Sequence, residues 1–254
     1  MLTWALLSTA FTLFAAANPV PSELESRELE PRARAHVYSH CTVPDTVALT
    51  FDDGPYDYIY DISGKLLEKG AKGTFFFNGN NYECIYSPEN VARIRYVYEA
   101  GHQVASHTWS HPHLNQLSWD QVHDEMWRVE QALQRIVGVT PAFMRPPYGE
   151  YNDNVREVAR ARGQSLATWD FDSGDSVGVS AAESKQRYRD IANQRPSNIL
   201  ALNHEVYAST VWDVLSDAID TLQAKGYRLV TLAECVGKEP YQNVGQRQEG
   251  SWQC

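Results

Sequence analysis

From about residue 40 onward the chain repeats one pattern: a short apolar run, a polar loop, then a helix-length amphipathic segment. The apolar runs lie at 46–51, 73–77, 103–106, 142–145, 165–171, 199–202 and 228–232. Helical patterning fills 58–69, 88–99, 119–137, 152–162, 181–194 and 211–225. Ser118-Trp119-Asp120-Gln121 has the spacing of a capping box, in which two side chains satisfy free N–H groups at a helix start. Gly70, Gly101, Gly138, Gly163 and Gly226 stand where helices should stop, because glycine enters the left-handed conformation freely. Strands that alternate with helices pair in parallel, since each crossover returns the chain to the same end of the sheet. About seven such units favour an α/β barrel, complete or incomplete, over an open sheet.

The 254 residues carry 22 Lys plus Arg against 32 Asp plus Glu, a formal charge of −10. Nucleic acid is bound by clustered cations; no such cluster is present, so that class of partner is set aside. Seven Trp, fourteen Tyr and eight Phe exclude general disorder. Residues 1–17 have no charged side chain and end in Ala15-Ala16-Ala17. The segment is too short for a span of roughly 20 apolar residues and reads as a signal peptide removed on export. Residues 18–40 read as a spacer or pro-segment, with Arg32-Ala33-Arg34 as a processing point, and 41–254 as the folded domain. The polar end Gly250-Ser251-Trp252-Gln253-Cys254 does not read as a lipid-anchor tail, so no membrane anchor is expected. Cys41, Cys84, Cys235 and Cys254 fit an oxidising compartment, outside the cell or in its wall. None forms C-x-x-C, and three pairings are open.

The loops after the apolar runs hold most of the chemistry. The first run leads into Asp52-Asp53-Gly54-Pro55, the third into His107-Thr108-Trp109-Ser110-His111, the fourth into Arg145-Pro146-Pro147-Tyr148-Gly149. The fifth ends in Asp170-Phe171-Asp172-Ser173-Gly174-Asp175, and the sixth in Asn203-His204-Glu205. Polar groups thus gather at the C-terminal ends of the strands, where (β/α) barrels carry their active sites. His107 and His111, one turn apart, with a carboxylate make a three-ligand set for Zn²⁺ or Fe²⁺; a polar loop with idle histidines is the bland alternative. Asp52 and Asp53 would face opposite sides of a regular strand, but a Gly-Pro turn can bring both to one pocket. His204 is suited to general acid work because its ordinary pKa lies near neutral pH, and it is equally suited to a satisfied core position. Arg145 can orient a carboxylate by a bidentate bond or serve in a structural ion pair. Asp170, Asp172 and Asp175 can restrain Arg145 or His204, or cap the next helix. His102 and His113 are not expected to ligate.

In order, these stretches resemble the five motifs of the NodB-homology polysaccharide deacetylases: Thr50-Phe51-Asp52-Asp53-Gly54-Pro55, His107-Thr108-Trp109-Ser110-His111, Arg145-Pro146-Pro147-Tyr148-Gly149, Asp170 to Asp175, and Leu200-Ala201-Leu202-Asn203-His204. The likeness runs from about residue 41 to 235. It is strongest to secreted fungal chitin deacetylases, through Gly101-His102-Gln103-Val104-Ala105-Ser106 and Leu202-Asn203-His204-Glu205. The resemblance implies a distorted, incomplete (β/α) barrel of the NodB-homology type. It implies that Asp53, His107 and His111 hold a divalent metal, Zn²⁺ or Co²⁺. Asp52 would be the general base, His204 the general acid, and Arg145 would orient Asp52. The backbone N–H of Tyr148 would help bind the oxyanion. Asp175 would tune His204, although Asp172 competes for that place and Ser176 stands where members often have Trp. Trp109, Tyr148 and Tyr207 are the aromatics expected to meet sugar rings.

A closing barrel brings Cys41, before the first strand, beside Cys235, after the last. The expected pairs are therefore Cys41–Cys235 and Cys84–Cys254. The expected activity is metal-dependent N-deacetylation of chitin or N-acetylglucosamine oligomers by a secreted monomer. The alternatives are acetyl-xylan ester or peptidoglycan deacetylation, and a catalytically idle chitin-binding wall protein. An iron oxygenase is disfavoured, since strand–helix alternation does not build the double-stranded β-helix of that class.

Overall fold

The computed structural model describes Met1 and residues 33–254. The expected signal segment 1–17 and the spacer as far as residue 32 lie outside the described residues, apart from Met1. Residues 33–254 form one compact unit. Its strands are β1 (Val37–Tyr38), β2 (Thr46–Gly54), β3 (Gly73–Phe77), β4 (Gln103–Ser106), β5 (Val139–Pro141), β6 (Phe143–Met144), β7 (Ser165–Ala167), β8 (Phe171–Asp172), β9 (Asn198–His204), β10 (Arg228–Leu229) and β11 (Tyr241–Val244). The helices are α1 (Ile59–Glu68), α2 (Pro88–Glu99), α3 (Trp119–Val137), α4 (Asp153–Ala161), α5 (Ala181–Gln194), α6 (Leu215–Ala224) and the short α7 (Leu232–Cys235).

Nine strands form one parallel sheet in the order β1-β7-β6-β4-β3-β2-β9-β8, with β10 on the lower end of β2. The sheet curls until β7 and β8 are only three residues apart in sequence. Within that link the Thr168 N–H bonds to the Tyr38 carbonyl and the Asp170 N–H to the Leu200 carbonyl, so it touches both sides of the seam. This is the incomplete barrel expected. The apolar run 165–171 is not one strand, however. It breaks into β7, next to the edge strand β1, and β8, the edge strand on the other side, because the chain must cross the seam there. The ordered domain also starts before Cys41: β1 pairs with β7, and Ala35 is buried.

Alternation along the strands divides the core. Val47, Leu49 and Phe51 join Phe75 and Phe77 under the helices, whereas Ala48, Phe76, Ala105, Phe143, Ala167 and Leu200 fill the inside of the curl. On α3, Val122, Met126, Val129, Leu133 and Ile136 recur on one buried stripe. The Ser118–Gln121 capping box forms with both reciprocal bonds, and Gly138 ends the helix at φ 82°. Disulfides join Cys41 to Cys235 and Cys84 to Cys254. Among the described residues no helix is long and apolar enough to cross a membrane.

Register sets the position of the site. Asp52 on β2 pairs with His204 on β9, Phe77 on β3 with Ser106 on β4, and Ser106 with Met144 on β6. Asp52, His107, Arg145 and His204 therefore leave the sheet at the same level.

Candidate active site

The register of β2 against β3 slips between Asp52 and Gly54, so that two residues face one partner. This bulge breaks strand alternation and turns both carboxylates toward one pocket. It does so with Asp53 at φ 73°. Among the described residues six non-glycine positions have positive φ, and four of them, Asp53, Thr108, His111 and Tyr148, sit in these loops. Such backbone costs about 1–3 kcal/mol per residue and concentrates where side chains must be aimed.

Asp53, His107 and His111 each offer a ligand atom, all within 4.8 Å of one another. Asp53 Oδ1 lies 3.3 Å from His111 Nε2 and 3.6 Å from His107 Nε2. The Nδ1–H of His107 donates to the Arg145 carbonyl at 2.8 Å, which leaves a lone pair on Nε2 facing the pocket. Burial holds His107 down to about 3 and His111 to about 4, so both rings are neutral at physiological pH. Asp53 Oδ1 is buried with no hydrogen-bond donor. Burial pushes Asp53 up to about 6, helped by the charges of Asp52 and Asp175. Two lone pairs and a carboxylate oxygen that converge without a proton between them are the donor set of a divalent cation, with room left for further ligands.

Beside this set lie the two proton-handling groups. Asp52 accepts from Arg145 Nη1 at 2.8 Å, and its other oxygen is 3.7 Å from His107 Nε2. Burial raises its pKa, opposed by Arg145, His204 and His111. Arg145 is fully buried and also donates to Thr50 Oγ1, the Ala167 carbonyl and the Thr168 carbonyl. It holds Asp52 through one bond and not as a bidentate pair, with Nε and Nη2 turned to backbone next to the seam and the second Nη1–H on Thr50. Across the cleft His204 Nδ1 meets Asp175 Oδ1 at 2.8 Å, while Asp175 Oδ2 accepts from the His204 N–H and from Thr210 Oγ1. Burial opposes the imidazolium, but Asp175, Asp52 and Asp53 together lift His204 to about 9. Asp172 is occupied elsewhere, accepting from the Gly174 N–H, and Asp170 accepts from the Leu200 N–H. Asp175 is therefore the partner of His204.

A cavity of about 580 Å³ opens over these groups. Its walls include Tyr82, Tyr148, Trp169, Val177 and Tyr207. Tyr148 and Tyr207 were expected there. Trp109 is not in the wall: it is only 4% exposed, with the Arg128 guanidinium 3.8 Å from its ring centroid. A Cβ on Gly79 would stand 1.9 Å from its ring. It is a buried plate between the metal-ligand loop and its neighbours, and the expectation that it meets substrate is withdrawn. Sequence alone passed over Tyr82 and Trp169, which flank no titratable motif residue that works in the cleft. Their one signal is position, after the ends of β3 and β7. His102 is a satisfied core histidine, bonded to the Gly73 N–H and to Ser63. His113 pairs with Glu150 and stacks on Tyr148.

Residues 39–167 match the sequence profile of the family described as polysaccharide deacetylase. A chitin deacetylase of Colletotrichum lindemuthianum is 34% identical over 239 residues, covering 90% of this chain and 96% of that protein. A peptidoglycan-N-acetylglucosamine deacetylase of Bacillus cereus is 35% identical over 190 residues, covering 73% and 66%. The solved structure of the Colletotrichum lindemuthianum chitin deacetylase superposes with a TM-score of 0.78 at 32% identity, covering 84% of this chain and 96% of that one.

Proposed function

The chain belongs to the polysaccharide deacetylase family, and from that premise we propose that it is a secreted, metal-dependent hydrolase that removes N-acetyl groups from chitin or N-acetylglucosamine oligomers. The products are acetate and glucosamine units. The observation that carries this is the orphaned Asp53 Oδ1 facing two unprotonated imidazole nitrogens, with a carboxylate on one side and a carboxylate-backed histidine on the other.

Asp53, His107 and His111 would hold Zn²⁺ or Co²⁺, which supplies Lewis acidity to an acyl oxygen and to water. Asp52, pinned by Arg145, takes the proton of the attacking water, and burial, which raises its pKa, makes it a stronger base than an exposed carboxylate. The Tyr148 backbone N–H steadies the oxygen on which negative charge develops. His204 gives its proton to the leaving nitrogen, which is otherwise too basic to depart. Asp175, bonded at Nδ1, fixes the ring and stabilises its positive charge, so that Nε2 is the atom that delivers the proton. Tyr82, Trp169 and Tyr207 offer ring faces to the apolar faces of sugars. A neutral polymer is compatible with a net charge of −10. The charge-free segment 1–17 as a signal peptide, a spacer that ends before the buried Ala35, and the two disulfides support secretion.

The test is acetate release measured side by side on N-acetylglucosamine oligomers, peptidoglycan and acetyl-xylan. Oligomers should be turned over fastest, a strong chelator should abolish the release, and Zn²⁺ or Co²⁺ should restore it. Turnover that survives complete metal removal, or turnover of the ester alone, would overturn the proposal.

A further inference from the structure

The cleft wall that carries Tyr82 is held from behind by the end of the chain. Segment 78–80 is stitched to the metal-ligand loop: Asn78 Nδ2 donates to the His107 and Thr108 carbonyls, and the Gly79 and Asn80 N–H groups donate to the Trp109 carbonyl. A bridge between Asn80 and Cys84 closes the small loop that lifts Asn81 and Tyr82 over the cavity. Tyr82 is 51% exposed, meets the Tyr56 ring edge-on at 5.8 Å, and its hydroxyl hydrogen-bonds that of Tyr207 across the cavity. The loop that carries it is anchored from the far side. Cys84 is bonded to Cys254, and Trp252 lies 5.7 Å from Tyr86, ring to ring. Arg135 on α3 donates to the Tyr86 hydroxyl, and its guanidinium lies 5.8 Å from both the Tyr86 and the Trp252 rings. Tyr86 in turn reaches the buried plate Trp109 at 6.1 Å. The tail approaches along β11, which pairs with β5, and is tied down by the Gln248 N–H on the Arg135 carbonyl.

We infer that the C-terminal strap, through Trp252 and Cys254, positions the Asn81–Tyr82 wall and so sets how tightly an extended substrate is held, without touching the reacting atoms. This rests on the proposed deacetylase activity. The strap meets the site on one side only. Asp52, Asp53 and His204 lie on strands, and Arg145 directly after one, and residues 245–254 contribute no strand beside them. Loosening it should therefore weaken binding of a polymer that leans on Tyr82 and leave acetyl hydrolysis intact.

The experiment compares the wild-type protein, the Trp252→Ala variant and the Cys84→Ser/Cys254→Ser double variant, each loaded with Zn²⁺. Two substrates are used: an N-acetylglucosamine pentamer and a small soluble acetate ester that is too short to reach the wall. Expected is a KM for the pentamer raised roughly three- to ten-fold, the loss of an aromatic anchor. The kcat for the pentamer, the kcat/KM for the small ester and the Zn²⁺ affinity should stay as in the wild type. An unchanged pentamer KM in both variants overturns the inference. So does an equal loss on both substrates, or weakened Zn²⁺ binding, which would make the strap merely structural. Wild-type protein inactive on the pentamer would instead refute the proposed deacetylase activity.

Discussion

Two carboxylate–cation contacts divide the proton traffic between Asp52 and His204. Asp52→Asn keeps the shape of the side chain but removes its basicity. Its kcat should fall about 10²- to 10⁴-fold, the usual share of a general base, while calorimetry shows Zn²⁺ binding retained. Full turnover in that variant would remove Asp52 from the mechanism. His204 carries its extra proton below a pKa of about 9 and is a competent acid there. As pH rises through that value the proton is lost, so kcat/KM should decline on the alkaline side. Asp175→Asn removes the hydrogen bond and the charge that lift His204, leaving burial, which acts the other way. The alkaline limb of the pH profile should then shift to lower pH. A limb that stays in place would mean that another group sets it. The resemblance pointed to Asp175 for His204 with Asp172 as rival; only the fold separates them, by sending Asp172 to the Gly174 N–H and Asp175 to His204 Nδ1.

At the scale of elements, helices proved the most legible, because a long amphipathic period, a cap and a terminal glycine all point to the same segment. Ser118→Ala removes one half of the capping box and should lower stability by about 1 kcal/mol in a urea titration, with catalysis unaffected. Short strands were less legible. β1, β5 and β11 span two to four residues, too few for a period to show. The run 165–171 showed buried extended chain but not its neighbours, since hydrophobicity carries no information about which strand lies alongside. Trp109 failed for a related reason: an aromatic in a motif loop looks the same whether it faces solvent or core. Because it is buried, Trp109→Ala should destabilise the protein by about 3–5 kcal/mol in the same titration. A variant of wild-type stability with only a weakened KM would restore it to the cleft wall.

For the molecule as a whole, metal and fold should be coupled. The lone pairs of Asp53, His107 and His111 face each other without a donor, an arrangement a cation relieves. Zn²⁺ that binds the folded state alone adds about 2.7 kcal/mol at a hundredfold excess over Kd. Chelation should therefore lower Tm, and readdition of Zn²⁺ should restore it. A Tm indifferent to chelation would argue that the site holds no metal. The chain's own pattern determined the alternation of strand and helix, the end of the sheet where chemistry gathers, and the identity of the groups, because these are local properties of residue type and spacing. The tertiary structure alone decided the strand order across the seam, the bulge that turns Asp53 beside Asp52, the choice of Asp175 for His204, and the burial of Trp109. Those depend on which distant segments lie side by side, and no local period encodes that.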